Sequence, residues 1–376
     1  MVSILFEPFD IKGIQVKNRF VRSATVEGMG MADGRPSGSL RELYYALAEG
    51  EIGLIVTAAA LVDGEAYKKR RYVEGRAYDI AMDEDRYIED WHEVVAGVHE
   101  RGSRIAMQLV HMGRQENPKI RGSRPVAPSA VPLTNTDIVP REMTVQEIEE
   151  TVERFAQSCR RVMEAGFDAV QLHGGHGYLI SNFISPYANV RTDAYGGSTG
   201  NRSRFITEIV RRARELVGED YPIMIKMNCD EFIEGGLSKD QAVETAKIIT
   251  EAGIDCIEVT GGTSSDSPLR MAVPGIKRVE QEAYFASYAR ALKEHVSVPI
   301  ILVGGLRTPS VMAKVLEEGI ADLLSLSRPF IREPGLVKRW KQGDQEKARC
   351  ISCNKCALYM FKQPLRCYVE EPLEDV

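Results

Sequence analysis

The sequence predicts an α/β protein folded as a closed (β/α)8 TIM barrel, and three observations carry that prediction. Eight short apolar runs recur along the chain, with helical stretches between most of them. Each run is nearly continuous in apolar residues, as expected of parallel strands covered on both faces, rather than alternating. The first run ends in Ser23-Ala24-Thr25-Val26-Glu27-Gly28, which is not the G-x-G-x-x-G turn of an open doubly wound sheet.

The runs are Phe20–Thr25, Ile52–Ala59, Arg104–His111, Asp168–Gly174, Pro222–Cys229, Cys256–Gly262, Pro299–Gly305 and Asp322–Pro329. Between them, Asp85–His99 places Ile88, Trp91, Val94, Val95 and Val98 on one helix face. Thr144 followed by Glu147 is a capping box ahead of a long amphipathic helix, and Ser238 with Gln241 repeats the device. Chemistry in such a barrel sits at the C-terminal ends of the strands. The polar residues obey that rule: Ser23 and Thr25, Gln108 and His111, His173 and His176, Lys226 and Asn228, Gly261 and Gly262, Gly304 and Gly305, Ser327 and Arg328 close successive runs. The connections from Met112 to Met143 and from Ser181 to Arg204 are candidate lids. Residues 1–340 are expected to form the barrel and 341–376 a cysteine-rich extension.

At 376 residues, 44% hydrophobic and 27% charged, the chain has the composition of a globular protein with a sizeable core. A net charge of −6 with mixed signs argues against nucleic acid or an anionic membrane surface as the main partner. The N-terminus lacks a basic region followed by an apolar stretch, and nowhere do about eighteen apolar residues run together. A soluble, cytoplasmic protein is expected. Three of the seven cysteines, Cys159, Cys229 and Cys256, fall in apolar helix or strand patterns and read as inert core thiols. The other four, Cys350, Cys353, Cys356 and Cys367, crowd near the C-terminus, which suits a metal or cluster in a reducing compartment better than a disulfide framework.

The segment His173-Gly174-Gly175-His176-Gly177-Tyr178 puts two imidazoles and a phenol just past the end of a buried strand. Those groups suit anchoring an oxyanion and delivering a proton. On the residues alone, a metal pair lacking its third ligand and two hydrogen-bonded structural histidines are equally open readings. After the seventh run, Gly304 and Gly305 with Thr308-Pro309 supply backbone N–H groups at a helix start, and Ser327-Arg328 after the eighth adds a fixed cation. Together they suggest a phosphate site, which sugar phosphates, pyridoxal phosphate and FMN would all fit.

Leu5–Arg19, Gln108–Arg114, His173–Pro186, Arg191–Phe205 and Val303–Pro309 resemble, in order, the motifs of the old yellow enzyme family of FMN-dependent oxidoreductases, and the resemblance covers nearly the whole chain. It implies that Ser23, Ala24, Thr25, Ala58 and Gln108 line the isoalloxazine, with Lys226 near its N1 and C2 carbonyl. His173 and His176 would bind a substrate carbonyl oxygen, Tyr178 would be the proton donor, and Gly304, Gly305, Ser327 and Arg328 would cradle the phosphate. The implied activity is NAD(P)H-dependent, ping-pong reduction of an activated C=C bond in a small enone or enoyl substrate, by a homo-oligomer. An amine or ether demethylase-like dehydrogenase, and a flavin-carrying subunit that docks an electron-transfer protein, are alternatives. Two positions depart from the family. Val26 stands where a Thr or Cys usually tunes the flavin and excludes a covalent cysteinyl link; Lys226 replaces the usual Arg, keeping the charge and losing the bidentate fork.

Cys350-Ile-Ser-Cys353-Asn-Lys-Cys356, with Cys367 beyond it, resembles the iron–sulfur segment of the larger members, the 2,4-dienoyl-CoA reductases and trimethylamine dehydrogenases, whose second and third gaps are one residue longer. Four thiolates at such spacing suit [4Fe-4S] or tetrahedral Zn²⁺. Those members continue into FAD- and NAD(P)-binding domains, which this chain is expected to lack. A cluster would then be without its usual internal electron partner, so iron–sulfur, zinc and a metal-free relic all stand as readings.

Overall fold

In the computed structural model, which describes residues 2–63, 79–118, 122–134, 136–264, 266–267, 272–359 and 363–370, the eight runs form eight strands. They are β1 (Phe20–Arg22), β2 (Leu54–Leu61), β3 (Arg104–Val110), β4 (Ala169–Gly174), β5 (Ile223–Asn228), β6 (Cys256–Thr260), β7 (Ile300–Val303) and β8 (Leu323–Leu326). The strands pair in parallel in chain order, and β8 closes on β1 through Leu324 opposite Phe20 and Leu326 opposite Arg22. The predicted closed (β/α)8 barrel is the observed fold.

An outer ring of helices covers it: α1 (Gly38–Glu49), α2 (Tyr87–Glu100), α3 (Val145–Glu164), α4 (Thr199–Val217), α5 (Lys239–Glu251), α6 (Ala286–Lys293), α7 (Pro309–Glu317) and α8 (Leu336–Lys341). Both expected capping boxes form. The Glu147 amide donates to Thr144 Oγ1 at 3.2 Å while the Thr144 amide donates to the Glu147 carboxylate at 2.9 Å, and Ser238 and Gln241 exchange the same pair of bonds. On α2, Trp91, Val94, Val95 and Val98 are buried against the barrel as the periodicity requires. None of the described helices is long and apolar enough to cross a membrane.

The barrel interior is divided along its axis. At the N-terminal end Val21, Leu54, Val56, Ala106, Ala169, Met224, Cys256, Ile301 and Leu323 fill it. An antiparallel hairpin, Phe9–Ile11 with Ile14–Val16, plugs the opening with Ile11, Ile14 and Val16. One residue pair further along six of the eight strands the lining turns polar, with Ser23, Gln108, Gln171, Lys226, Glu258 and Ser325, all buried. The apolar plug thus forms the floor on which a polar layer stands, and the layer faces the C-terminal mouth.

Strand β2 contains a bulge: its register against β3 shifts between Val56 and Ala59, so that Ala59, not Ala58, lies opposite Gln108. Period-two alternation from Leu54 would turn Ala58 inward. The extra residue instead sends Ala58 to the outer core and aims Ala59 and Leu61 into the barrel.

Candidate active site

A cavity of about 620 Å³ opens at the C-terminal ends of the strands, in the size range of small-molecule sites. Among its lining residues are Ser23, Ala24, Thr25, Gln108, Lys226, Gly305, Ser327 and Arg328, together with His173, His176 and Tyr178. Twelve of the thirteen catalytic and flavin-site positions expected from the sequence come together here or directly beside it, Gly304 lying just behind the wall. Ala58 is absent from the lining, where its neighbour Ala59 stands after the β2 bulge.

The histidine segment is held from several sides. A Cβ on Gly175 would lie 2.9 Å from Thr260 Cγ2 and 3.1 Å from Asn228 Oδ1, so only glycine lets the chain pass this close to β5 and β6. His176 then takes a left-handed φ of 61°, stabilised by its amide donating to Asn228 Oδ1 at 3.1 Å. The rings of His173 and His176 meet edge to face at 5.2 Å, and Tyr178 packs against His173 at 4.7 Å. The Gly175 amide donates to His173 Nδ1 at 3.3 Å, which leaves the His173 proton on Nε2. His176 Nε2 pairs with Thr260 Oγ1 at 2.8 Å. Burial drives the His173 imidazole well below its usual range, helped by His176 and Lys226; burial and then Lys226 push His176 down to about 3. Both rings are neutral at physiological pH.

Under the cavity lies a network that sequence reading missed. Lys226 Nζ donates to Ser23 Oγ at 2.6 Å and to Glu258 Oε1 at 3.0 Å, and Ser23 in turn donates to the same oxygen at 2.8 Å. Ser325 adds a bond at 2.7 Å, and Gln171, which accepts from Gln108 at 2.7 Å, donates to Glu258 Oε2 at 2.9 Å. Burial alone would raise the Glu258 carboxyl, but the Lys226 ammonium and these hydrogen bonds hold it below the ordinary carboxylate range. The available signal was an acid in the middle of the apolar run Cys256-Ile257-Glu258-Val259-Thr260, where only a buried cation makes a charge tolerable.

The expected phosphate cradle is narrower than the sequence suggested. The amides of Arg307 and Thr308, at the start of α7, donate to Glu282 Oε2 at 2.8 and 2.9 Å, so a protein carboxylate already caps that helix. What remains for an anion is the Gly304–Gly305 turn with Ser327 and Arg328. Gly305 has φ +72°, where a side chain is strained, and a Cβ there would also press on Ile276 Cδ1 at 2.5 Å and Tyr284 at 3.0 Å.

The C-terminal extension forms part of this mouth. Arg328 Nη1 donates to Val273 O at 2.9 Å and to Asn354 Oδ1; Arg307 Nη1 donates to Cys350 O at 3.1 Å; the Leu365 amide donates to Glu27 O at 2.8 Å. Ser352, Asn354, Leu358 and Leu365 thereby line the main cavity. Cys350, Cys353, Cys356 and Cys367 surround a second, small cavity of about 20 Å³, and Cys356 borders both. Among the described residues no three His, Cys, Asp or Glu side chains are arranged to hold a metal ion. Burial pushes the Cys350 and Cys356 thiols up.

The two connections expected to act as lids are joined to one another: Arg191 donates to Pro128 O at 2.9 Å and to Met143 O at 2.7 Å. Residues 119–121 and 135 of the first connection lie outside the described residues.

Comparison with known proteins agrees with this geometry. The chain is 38% identical over 354 residues to an NADH oxidase of Thermoanaerobacter brockii, covering 93% of this chain and 52% of that protein. It is 33% identical over 335 residues to an NADPH dehydrogenase of a Geobacillus species, covering 89% and 92%. Among solved structures, a 2-naphthoyl-CoA reductase in complex with 2-naphthoyl-CoA superimposes with a TM-score of 0.85 at 28% identity, over 95% of this chain and 55% of that one. The chain thus spans about half the length of several relatives it matches. With the model of that family matching residues 4–347, nearly all of the barrel described above, the chain belongs to the NADH:flavin oxidoreductase / NADH oxidase family.

Proposed function

We propose that this chain is an FMN-dependent NAD(P)H oxidoreductase that reduces an activated C=C bond conjugated to a carbonyl. The observation that carries the reading is the pair of neutral imidazoles, His173 and His176, converging beside Tyr178 over a buried lysine. The cavity fits FMN: it has a lysine at one end, a glycine turn with a fixed arginine at the other, and apolar walls from Ala24, Ala59 and Leu61 between them. Lys226 and Gln108 would bind the pyrimidine edge, while Gly304, Gly305, Ser327 and Arg328 would hold the phosphate. When bound, FMN supplies hydride transfer from a reduced nicotinamide to a second substrate.

This chain's residues handle the substrate's oxygen and the proton. With its Nδ1 accepting from Gly175, His173 offers Nε2–H to the cavity. His176 Nε2 shares a hydrogen bond with Thr260 Oγ1, and in the tautomer in which the hydroxyl donates, His176 offers Nδ1–H. Two N–H donors on one carbonyl oxygen stabilise the negative charge that develops there. Tyr178, packed on His173, would protonate the carbon next to that carbonyl. The bound 2-naphthoyl thioester of the structural relative is likewise a carbonyl compound.

The four C-terminal cysteines are proposed to hold [4Fe-4S] or zinc. The proposal rests on their sequence spacing and the small cavity they share, and it requires the thiols to lose their protons and draw together on the ion.

The test is anaerobic mixing of the flavin-loaded protein with NADH or NADPH, followed by cyclohexenone. Rapid bleaching and enone-dependent reoxidation are expected. Inertness to both, with reduction by an amine, would overturn the reading.

A further inference from the structure

We propose that Glu258 is a positioning residue that sets the flavin's reduction potential by acting through Lys226, partly cancelling the positive charge presented to the pyrimidine edge. The proposal rests on the FMN reading above. Its geometric basis is the buried pair: Lys226 Nζ and Glu258 Oε1 are 3.0 Å apart, and both side chains are almost wholly shielded from water. An ammonium has three donors. Ser23 and Glu258 take two, and among the described residues no protein group takes the third, so Lys226 contributes to the cavity both a donor and a charge.

Hydride transfer from NAD(P)H adds two electrons and one proton to the flavin ring, releases NAD(P)⁺, and leaves the ring with one net negative charge. A lone buried cation beside the ring would favour that product strongly, because a low-dielectric site does not screen it. Glu258 makes the neighbour an ion pair instead of an isolated charge. Its four hydrogen bonds, from Ser23, Ser325, Lys226 and Gln171, fix the carboxylate on the far side of the ammonium, below the cavity rather than in it. Glu258 is absent from the cavity lining while Lys226 is present, so the carboxylate reaches the ligand only through the lysine. The same pair offsets part of the cost of burying an ammonium at this depth.

The experiment measures the two-electron potential of bound FMN by equilibration with a reference dye, in wild type and Glu258→Gln. Removing the negative partner should shift the reduction equilibrium at least tenfold toward the reduced form, a rise of about 30 mV for a two-electron couple. In a Lys226→Gln background the same substitution should leave the potential unchanged, because a buried carboxyl without its cation is already protonated. An unchanged potential in the single variant, or equal shifts in both backgrounds, overturns the proposal. If Glu258→Gln holds FMN weakly, the separate affinities for oxidised and reduced FMN give the same ratio. If it does not fold, Glu258→Asp, which withdraws the carboxylate from Lys226, should still raise the potential, and a value at or below wild type refutes the role. A wild-type protein that binds no FMN would instead overturn the reading on which the proposal stands.

Discussion

The substitution Thr260→Val tests whether the hydrogen bond to Thr260 selects the tautomer of His176. Thr260 Oγ1 lies 2.8 Å from His176 Nε2, with both side chains buried, and the imidazole is neutral because burial and Lys226 hold it down to about 3. Valine fills nearly the same space and removes only the hydroxyl. Nε2 then has no donor, and the ring is free to place its proton on that nitrogen, turning an acceptor toward the ligand in place of Nδ1–H. Leaving a buried polar atom unsatisfied, or losing one donor to a charged oxygen, costs about 1–3 kcal/mol. Binding of a phenol such as 4-hydroxybenzaldehyde should therefore weaken about 5- to 150-fold. The assay is titration of the long-wavelength charge-transfer band that a phenol gives when stacked over oxidised flavin, with flavin content and melting temperature as controls. An unchanged phenol affinity in a variant that retains flavin would refute the tautomer argument and leave Thr260 with a packing role.

Four other outcomes follow from the same geometry. Arg328→Ala should lower FMN affinity about ten- to hundred-fold, the equivalent of a charge-assisted contact of about 1.5–3 kcal/mol, and equal retention on dilution would remove Arg328 from the phosphate site. Tyr178→Phe should slow enone reduction by about 10²–10⁴ while leaving flavin reduction by NAD(P)H nearly intact; equal slowing of both halves would mean a packing role. Because His176 titrates near 3 in the folded chain and near 6.5 unfolded, its stabilising contribution is complete above about pH 6.5 and is lost as pH falls toward 3. Ligand affinity should accordingly show no imidazole titration between about pH 5 and 8, and an apparent pKa near 6.5 would contradict the neutral pair. Anaerobically purified protein should carry about four iron atoms or one zinc per chain; metal-free protein whose four C-terminal thiols all react like exposed cysteine would make the motif a relic.

The barrel was legible because its strands are buried on both faces, and a strand of that kind writes itself as an unbroken apolar run with polar residues at one end. Ser23, Gln108, His173, Lys226 and Arg328 were found by position for the same reason. Ala58 was assigned by resemblance, and the bulge that sets Ala59 into the cavity lining beside it leaves no mark in a stretch such as Val56-Thr57-Ala58-Ala59-Ala60. Gln171 and Glu258 share a layer with Gln108 and Lys226, but on their own strands residues nearer the mouth, His173 and Gly261-Gly262, drew the assignment. Glu282 occupies the start of α7 from a distant loop, a pairing without local signature. The inward course of the C-terminal segment depends on long-range bonds, such as that from the Leu365 amide to Glu27 O, that composition cannot encode.

That course makes the boundary near residue 340 a landmark in the sequence rather than a seam in the energetics. Asn354 and Cys350 are held by Arg328 and Arg307, and Ser352, Leu358 and Leu365 form wall for the same cavity that the barrel opens. A ligand in the main cavity and the thiol segment therefore share a wall, and any coupling free energy between them is reciprocal. Whatever factor a filled cysteine site adds to cofactor affinity, the bound cofactor returns to the cysteine site.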